Sequence, residues 1–223
     1  AFQPGDPTRA LFRIDEGRCL RAGRTGEYGY HVIVPREDSD GIYARFLERR
    51  EDFDLIEIGA ETLSSCMFES WFFDAAHVPA GSTPIELGLQ WRLVPDRDYL
   101  GRAALDARRL ESPRLQVCAV ASVEIAAGDP VTLGSHVIGE VTRAAYSDVC
   151  GGWIASALVE RRLAHGGIDR FSAGGVPVRT LAPPLVDNRS LYVDPRRHAY
   201  RTRDEVHFGP LLRAGRAALE ALR

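Results

Sequence analysis

Apolar and polar residues alternate along the first third of the chain, which is the pattern of an antiparallel sheet with one buried face. The alternating stretches are LFRID, CLRAGR and YGYHVIV, and a turn that contains glycine separates each from the next. Helical spacing of Ile42, Phe46 and Leu47 then predicts a helix that Asp40 caps, that ends near Glu48 and that buries one face.

The pattern that follows completes an α+β unit. A short strand or approach segment, FDLIEIG, precedes a helix predicted from Ala60 to about Ser70, which ends in the aromatic cluster CMFESWFF. A strand is predicted for IELGLQWRL and a small helix for GRAALDARRL. The cluster around Phe68 to Phe73 is richer in large apolar groups than a lone helix end needs, so we expect it to form a wall against a second polypeptide.

The pattern of apolar and polar residues changes near Pro113. Short β-rich runs recur between turns from Leu115 to about Leu181, and this spacing favours a small barrel or sandwich over helices. An irregular arm and a short amphipathic helix, LLRAGRAALEALR, end the chain. We therefore predict an α+β domain over residues 1–112, a β-barrel over 113–184, and an arm with a terminal helix over 185–223.

Composition narrows the function classes. The chain has 223 residues, 45% hydrophobic content and a formal charge of −3, so it can bury a core and lacks the basic footprint of a nucleic-acid-binding protein. No run approaches a membrane span and the first residues lack a signal-peptide pattern, so we expect a soluble, cytoplasmic protein without a membrane partner. The basic residues are all arginine, which is typical of a GC-rich bacterial genome.

The cysteines and histidines do not indicate a metal site. The four cysteines, Cys19, Cys66, Cys118 and Cys150, form no C-x-x-C pair and are expected to be reduced, mostly buried thiols. The histidines share no spacing of a zinc site.

The stretch RTGEYGYHVIVP resembles a ligand-binding glycine loop. Gly23, Gly26 and Gly29 recur every third residue, but the dinucleotide fingerprint needs a different spacing and a following helix, whereas a strand follows here. A phosphate-binding P-loop also needs a lysine, and the chain has none.

Four stretches in order resemble one family, the aminomethyltransferase T protein of the glycine cleavage system with the related tetrahydrofolate-dependent demethylases. They are RTGEYGYHV, GAETLSSCMFES, TPIELGLQWRL with DYLGRAAL, and VIGEVTRAAYS. The resemblance covers only the carboxyl-terminal half of the family. It implies an antiparallel sheet with packed helices followed by a small barrel, and transfer of a methyl or aminomethyl group to tetrahydrofolate.

The resemblance also implies a set of site residues. The family's pterin-associated tyrosine, glutamate and arginine fall here on Arg24, His31 and Leu63, and Met67 replaces a second arginine. A carboxylate accepts two hydrogen bonds from a pterin edge, whereas neutral imidazole offers one acceptor. The predicted cofactor-binding residues are Arg24, Glu27, Tyr28, Tyr30, Glu69 and Trp91. His31 is the predicted catalytic base, with an ordinary pKa near 6.5.

Each of these residues has a simpler interpretation. Glu27 is otherwise a solvated turn carboxylate, or it shares a strand face with His31 and reaches a ligand beside it. Arg24 is otherwise a surface arginine stacked on Tyr28, and Glu69 a structural cap or ion-pair partner. Trp91 is otherwise a core aromatic of its strand, as is Trp153.

The family's amino-terminal half supplies an aspartate that positions the one-carbon unit, and this chain lacks that half. We therefore expect a partner chain that carries it, and a small-molecule one-carbon donor. Two alternatives remain: a non-catalytic binding or scaffold subunit that has lost folate binding, and folate-independent chemistry with His31 as the base.

Overall fold

A computed structural model of the chain describes residues 11–14, 17–94, 96–109, 113–194, 197–207 and 214–222. The chain folds as two compact units. The first, here called the sheet unit, contains the residues up to Phe72 and the segment Asp187–Leu211. The second, here called the barrel unit, contains Phe73–Val186 and Leu212–Arg223.

The sheet unit contains a three-stranded antiparallel sheet, as the alternation predicts. Its strands, in the order in which they pair, are β1 (Leu11–Ile14), β2 (Gly17–Arg21) and β3 (Tyr30–Ile33). Cys19 lies opposite Val32 and Leu20 lies opposite His31. Since β3 begins at Tyr30, Glu27 belongs to the preceding loop and does not share a strand face with His31, which corrects that prediction.

The first helix, α1 (Ser39–Glu48), forms where it was predicted, but its details differ. Asp38 occupies the N-cap position and Asp40 lies in the first turn. The predicted buried face is wrong for the described residues: none of the helix is buried, and Phe46 is 48% exposed. Helical spacing identifies an apolar face, but what covers that face lies outside the helix's own sequence.

The second helix, α2 (Ala60–Glu69), matches the prediction to within one residue. Met67 and Phe68 are buried, and the Phe68 ring stacks on Trp71 with ring centroids 5.9 Å apart. The Phe72 N–H donates to the Met67 carbonyl at 2.8 Å where the helix ends. Phe68 therefore packs within its own unit, which corrects its predicted place in a wall open to a second polypeptide.

The segment predicted as the strand IELGLQWRL is a pair of helical turns. The Glu86 carboxylate accepts from the Thr83 N–H at 2.9 Å and from the Thr83 hydroxyl at 3.0 Å, and the Glu86 N–H donates back to that hydroxyl at 3.2 Å. This reciprocal capping begins a helical turn and excludes a strand. The small helix predicted next forms as α3 (Arg102–Arg109).

The predicted barrel closes from six antiparallel strands. They pair in the order β4-β7-β6-β5-β8-β9, and closure comes from β9 pairing back to β4, where Cys118 lies opposite Leu181. The strands are β4 (Arg114–Ala121), β5 (Pro130–Leu133), β6 (His136–Ser147), β7 (Gly152–Glu160), β8 (Phe171–Ala173) and β9 (Val176–Leu181).

Side chains at every second position of the strands fill the barrel, as the pleat requires. On β4 these are Val117, Ala119 and Ala121. The terminal helix α4 (Ala214–Glu220) packs outside the barrel against β4, β7 and β9. Leu219 is buried there against Gly152, where an added methyl group would overlap the leucine side chain.

All four cysteines are free thiols, as predicted. Cys19, Cys118 and Cys150 are buried and Cys66 is half-buried. Burial, with a smaller contribution from Cys150, raises the pKa of the Cys118 thiol well above its ordinary value. A thiol held protonated in this way is a packing group rather than a nucleophile.

Candidate functional site

The glycine loop between β2 and β3 is shaped by close backbone approaches. A methyl group on Gly29 would lie 2.8 Å from the Gly23 Cα, so the two ends of the loop nearly touch. Gly26 has a φ of +73°, and a methyl group there would overlap the Asn188 side-chain amide. The spacing of one glycine every third residue therefore lets the loop fold on itself and accept a second chain segment at its tip.

That second segment is a strap, Asn188–Val193, from the far end of the sequence. The Glu27 carboxylate accepts the Arg189 and Ser190 backbone N–H groups, each at 2.7 Å, and also the Ser190 hydroxyl. These amides begin the 3₁₀ turn Arg189–Tyr192, so Glu27 caps it from a distance. Both carboxylate oxygens of Glu27 are thus engaged by the protein itself.

Tyr28 completes the attachment of the strap. Its N–H donates to the Ser190 hydroxyl oxygen at 2.7 Å, and its own hydroxyl donates to the Val193 carbonyl at 2.9 Å. The Arg21 guanidinium lies over the Tyr28 ring, 4.3 Å from its centroid. The arginine stacked on Tyr28 is therefore Arg21, and not Arg24 as the simpler interpretation of the sequence had it.

A shallow depression of about 380 Å³ opens beside this loop. Its lining consists of Arg21, Gly23, Gly26, Glu27, Tyr28, Gly29 and Phe72. A cation held over an aromatic ring, with apolar surface from Phe72 nearby, suits an anionic or planar group. Glu27 and Tyr28 are the predicted site residues that the structure brings to this depression.

The other predicted residues of the sheet unit are not part of this lining. Arg24 is exposed in the loop, Tyr30 begins β3 with an exposed side chain, and His31 follows it half-buried in the strand. Glu69 is the last residue of α2 and is half-buried. A role for them as ligand-binding or catalytic residues remains a prediction.

Trp91 lies in the barrel unit, in the 3₁₀ turn Gln90–Arg92, and is 71% exposed. The Arg92 guanidinium lies 4.6 Å from its ring centroid. The expectation of a core tryptophan is therefore wrong for Trp91, because the turn that replaces the predicted strand leaves its side chain outside. Trp153 does pack against the barrel core.

A second cluster of charged groups joins Asp74, His77 and Arg143 in the barrel unit. The Asp74 carboxylate accepts the Ala76 N–H at 3.1 Å and lies 3.0 Å from His77 Nδ1 and 3.7 Å from Arg143 Nη1. Burial acts to raise the pKa of the Asp74 carboxyl, but the Ala76 N–H, His77 and Arg143 together hold that pKa below its ordinary value. Burial lowers the pKa of the Arg143 guanidinium, and Asp74 opposes that shift. The cluster fixes a carboxylate in its charged form.

Within the described part of the chain, no three His, Cys, Asp or Glu side chains come together as a metal-binding group. None of the described helices has the length and apolar character needed to span a membrane.

The family profile described as "Glycine cleavage T-protein C-terminal barrel domain" matches residues 114–187. These are the residues of the six-stranded barrel and the start of the segment that follows it. Residues 114–187 form a T-protein barrel domain. The predicted resemblance to the T-protein family is thereby confirmed, as is the predicted fold class.

The curated relatives of this chain include enzymes with several different names. The aminomethyltransferase of Symbiobacterium thermophilum is 28% identical over 154 residues, which covers 66% of this chain and 40% of the relative. The trimethylamine-oxide aldolase of Ruegeria pomeroyi is 30% identical over 148 residues, covering 63% of this chain and 18% of the relative. The sarcosine oxidase subunit alpha of Rhizobium meliloti is 29% identical over 165 residues, which cover 67% of this chain and 16% of the relative.

A solved structure shows the same fold. The glycine cleavage system aminomethyltransferase T from Bartonella henselae matches with a TM-score of 0.67 at 18% identity, over 77% of this chain and 50% of that one. The chain therefore spans half or less of the length of these T-protein relatives.

The sequence did not predict the strap or the charged cluster around Asp74. Asn188, Arg189 and Ser190 have the composition of an ordinary turn, and nothing local links them to Glu27, more than 160 residues away. Arg143 lies in a β-rich run of mostly small and apolar residues, so its charge was a usable signal. Asp74 follows an aromatic run, and its sequence neighbours gave no such signal.

Proposed function

We propose that this chain is the carboxyl-terminal subunit of a T-protein-like one-carbon transferase or demethylase in the cytoplasm. A partner chain supplies the amino-terminal part of the fold, a small molecule donates the methyl or aminomethyl group, and tetrahydrofolate is the acceptor. The proposal rests on one observation: similarity to named aminomethyltransferases extends beyond the barrel. The alignment of 154 residues is longer than the stretch from Arg114 to the last residue, so it includes part of the segment before the barrel.

The names of the relatives support the class of reaction. An aminomethyltransferase, a trimethylamine-oxide aldolase and a sarcosine oxidase subunit carry names that refer to small amines or to groups bonded to nitrogen. A donor of this kind is a compact, polar molecule.

The described residues of this chain do not by themselves fit a pterin. A carboxylate is needed to accept two N–H groups from the pterin edge, yet both oxygens of Glu27 already accept backbone N–H groups of the strap. At the family's two arginine positions stand Leu63, half-buried, and Met67, buried. Within our proposal, the charged contacts to tetrahydrofolate therefore come from the partner chain.

This chain's own contribution is positioning and proton transfer. The strap and glycine loop hold Arg21 and Tyr28 in place, so that they present a cation and a ring face without reorganisation on binding. When a methyl group is transferred to an amine nitrogen, that nitrogen loses a proton. His31, half-buried on β3, is the proposed proton acceptor.

The engagement of Glu27 favours a second candidate function. If the carboxylate serves only to cap the strap, the chain is a binding or scaffold subunit that keeps the T-protein fold without binding folate. Such a subunit would assemble with the partner and contribute no group to the reaction.

Isothermal titration of tetrahydrofolate into the chain alone, and into its complex with the partner, separates the two candidates. The transferase proposal predicts binding to the complex and weak or no binding to the chain alone. Absence of binding in both samples would overturn it in favour of the scaffold. His31→Ala should abolish one-carbon transfer and leave complex formation intact, whereas the control Arg36→Ala, an exposed position, should change neither.

A further inference from the structure

The depression beside the glycine loop is lined by one positively and one negatively charged side chain. Arg21 and Glu27 are both half-buried, and Tyr28, Phe72 and the glycines of the loop complete the lining. All of these residues belong to the sheet unit, so the depression is formed within one compact unit. A lining with one charge of each sign favours a ligand that is itself a zwitterion, because such a ligand leaves no charge unbalanced.

Arg21 supplies the positive charge in a form that suits a carboxylate. Its guanidinium lies over the Tyr28 ring, 4.3 Å from the ring centroid. The N–H donors of a guanidinium lie in its own plane, so contact with a ring does not consume them, and a pair of them matches the two oxygens of a carboxylate. The Tyr28 hydroxyl donates to the Val193 carbonyl, so the ring that supports the arginine is held in place before a ligand binds.

Glu27 keeps acceptor capacity for a positively charged group. In the part of the chain that the structure describes, its carboxylate accepts the Arg189 N–H on Oε1, and the Ser190 N–H and hydroxyl on Oε2. A carboxylate has about two acceptor positions on each oxygen, so Oε1 can accept one further N–H. The ammonium group of an amino acid is such a donor, and its charge is opposite to that of Glu27.

The same features disfavour other ligands of an arginine that lies beside an aromatic ring. A planar aromatic group would have to displace Arg21 from the face of Tyr28 that it covers. A phosphate dianion would bring two negative charges beside Glu27, against the single arginine of the lining. A bare alkylamine would bring a second positive charge beside Arg21 and no group that the guanidinium N–H donors can bind.

Phe72 indicates the remaining part of the ligand. It adds apolar surface to a depression of about 380 Å³, which has room for a side chain in addition to the ammonium and carboxylate groups. We propose that the depression binds an N-methylated amino acid with an apolar side chain. Its carboxylate binds Arg21, its ammonium group lies beside Glu27 and its apolar groups contact Phe72. This inference rests on the proposed function, because it identifies this amino acid as the donor of the one-carbon unit.

Isothermal titration calorimetry with N-methylleucine and N-methylleucinamide tests the proposal on the unsubstituted full chain. The two probes have nearly the same shape, and a titration at about pH 6 keeps the ammonium group of both protonated, but the amide lacks the negative charge. N-methylleucine should bind, and N-methylleucinamide should bind about tenfold less tightly, because the contact with Arg21 loses its charge. Equal affinities, or no binding of N-methylleucine, would overturn the proposal.

Substitution of the arginine provides the second test. Arg21→Gln removes the positive charge, so the affinity for N-methylleucine should fall about tenfold while the affinity for the amide changes little. Arg18→Gln is the matched control, because Arg18 is an exposed arginine of the same strand that is not part of the lining. Equal effects of the two substitutions on N-methylleucine would overturn the proposal.

The Arg21 substitution also removes a contact of Tyr28, which holds the strap. Hydrogen exchange of the Ser190 amide in Arg21→Gln reports whether the strap stays attached. If that exchange accelerates, the comparison of the acid with the amide on the unsubstituted chain decides, since it involves no change in the protein.

The outcome is separable from the fate of the proposed function. If the depression binds N-methylleucine through Arg21 but the complex transfers no one-carbon unit, the binding site assigned here stands and the transferase is rejected. If the complex transfers a one-carbon unit from a bare methylamine and the chain does not bind N-methylleucine, the transferase stands and this inference is rejected.

Discussion

The Glu27 carboxylate accepts a hydrogen bond from the Ser190 backbone N–H at 2.7 Å, across 163 positions of sequence. The barrel lies between the two residues in the chain, yet both belong to the sheet unit. Because a charged acceptor on an amide N–H forms one of the stronger protein hydrogen bonds, this contact holds the strap on the glycine loop. The shape of the depression beside the loop therefore depends on Glu27, a residue that the sequence predicted to bind the ligand.

Replacing Glu27 by glutamine should release the strap. The side-chain amide presents an NH₂ group to N–H donors that had faced an oxygen, so the local stability should fall by about 1–3 kcal/mol. Hydrogen exchange of the Arg189 and Ser190 amides should accelerate accordingly. Glu37→Gln, the same change at an exposed position, should have no effect on them, and unchanged exchange in the Glu27 variant would show that the carboxylate does not hold the strap.

Gly26→Ala should destabilise the protein more than Gly81→Ala. Both glycines have left-handed backbone, with φ of +73° and +77°, so both substitutions incur the same conformational cost. Only Gly26 has a neighbour, Asn188, within reach of the added methyl group. We expect a further loss of about 1–3 kcal/mol at Gly26 in urea unfolding, and equal losses would contradict the close packing of loop and strap.

Leu219 should contribute strongly to the barrel unit. It is buried on α4 against the outside of the barrel, so Leu219→Ala removes buried methyl groups and leaves a cavity, at a cost of about 2–5 kcal/mol. Val137→Ala, at an exposed position, should cost less than about 0.5 kcal/mol. Differential scanning calorimetry measures both, and a Leu219 variant as stable as the control would show that α4 does not cover the barrel.

The stability of the barrel unit should fall in acid through Asp74. Its pKa in the folded state lies below the ordinary value of 3.8, so its carboxylate stabilises the fold above pH 3.8. That contribution decreases as the pH falls below 3.8 and is lost once the pH passes the folded pKa. The stability of Asp74→Asn should therefore decline less than that of the unsubstituted protein over this range, and parallel pH profiles would contradict the role of the cluster.

The parts of the fold that follow from local pattern were predictable. The alternation of Val117, Ala119 and Ala121 is enough to indicate a strand with one face in a core, and short strands at turn-punctuated intervals indicate the barrel. The spacing within α2 likewise gave its ends to within one residue.

The wrong predictions arose where the structure depends on a contact that the local sequence pattern does not reveal. Thr83 and Glu86 lie in an apolar stretch that reads as a strand, but their reciprocal hydrogen bonds make it a helical turn. Phe46 has the spacing of a buried helix face, but burial needs a covering surface, and the described chain leaves Phe46 about half exposed.

The candidate site was predictable only in its location. The glycine loop drew attention by its spacing, and Glu27 and Tyr28 do line the depression. The use of Glu27 as a cap could not be predicted, because its partners Arg189 and Ser190 meet it only through the tertiary fold.

Native mass spectrometry of the particle purified from the cell that makes this chain tests the central claim most directly. The account predicts one particle that holds this chain together with a second polypeptide whose peptides match the amino-terminal part of a T-protein. A particle that contains this chain and no such polypeptide would contradict it.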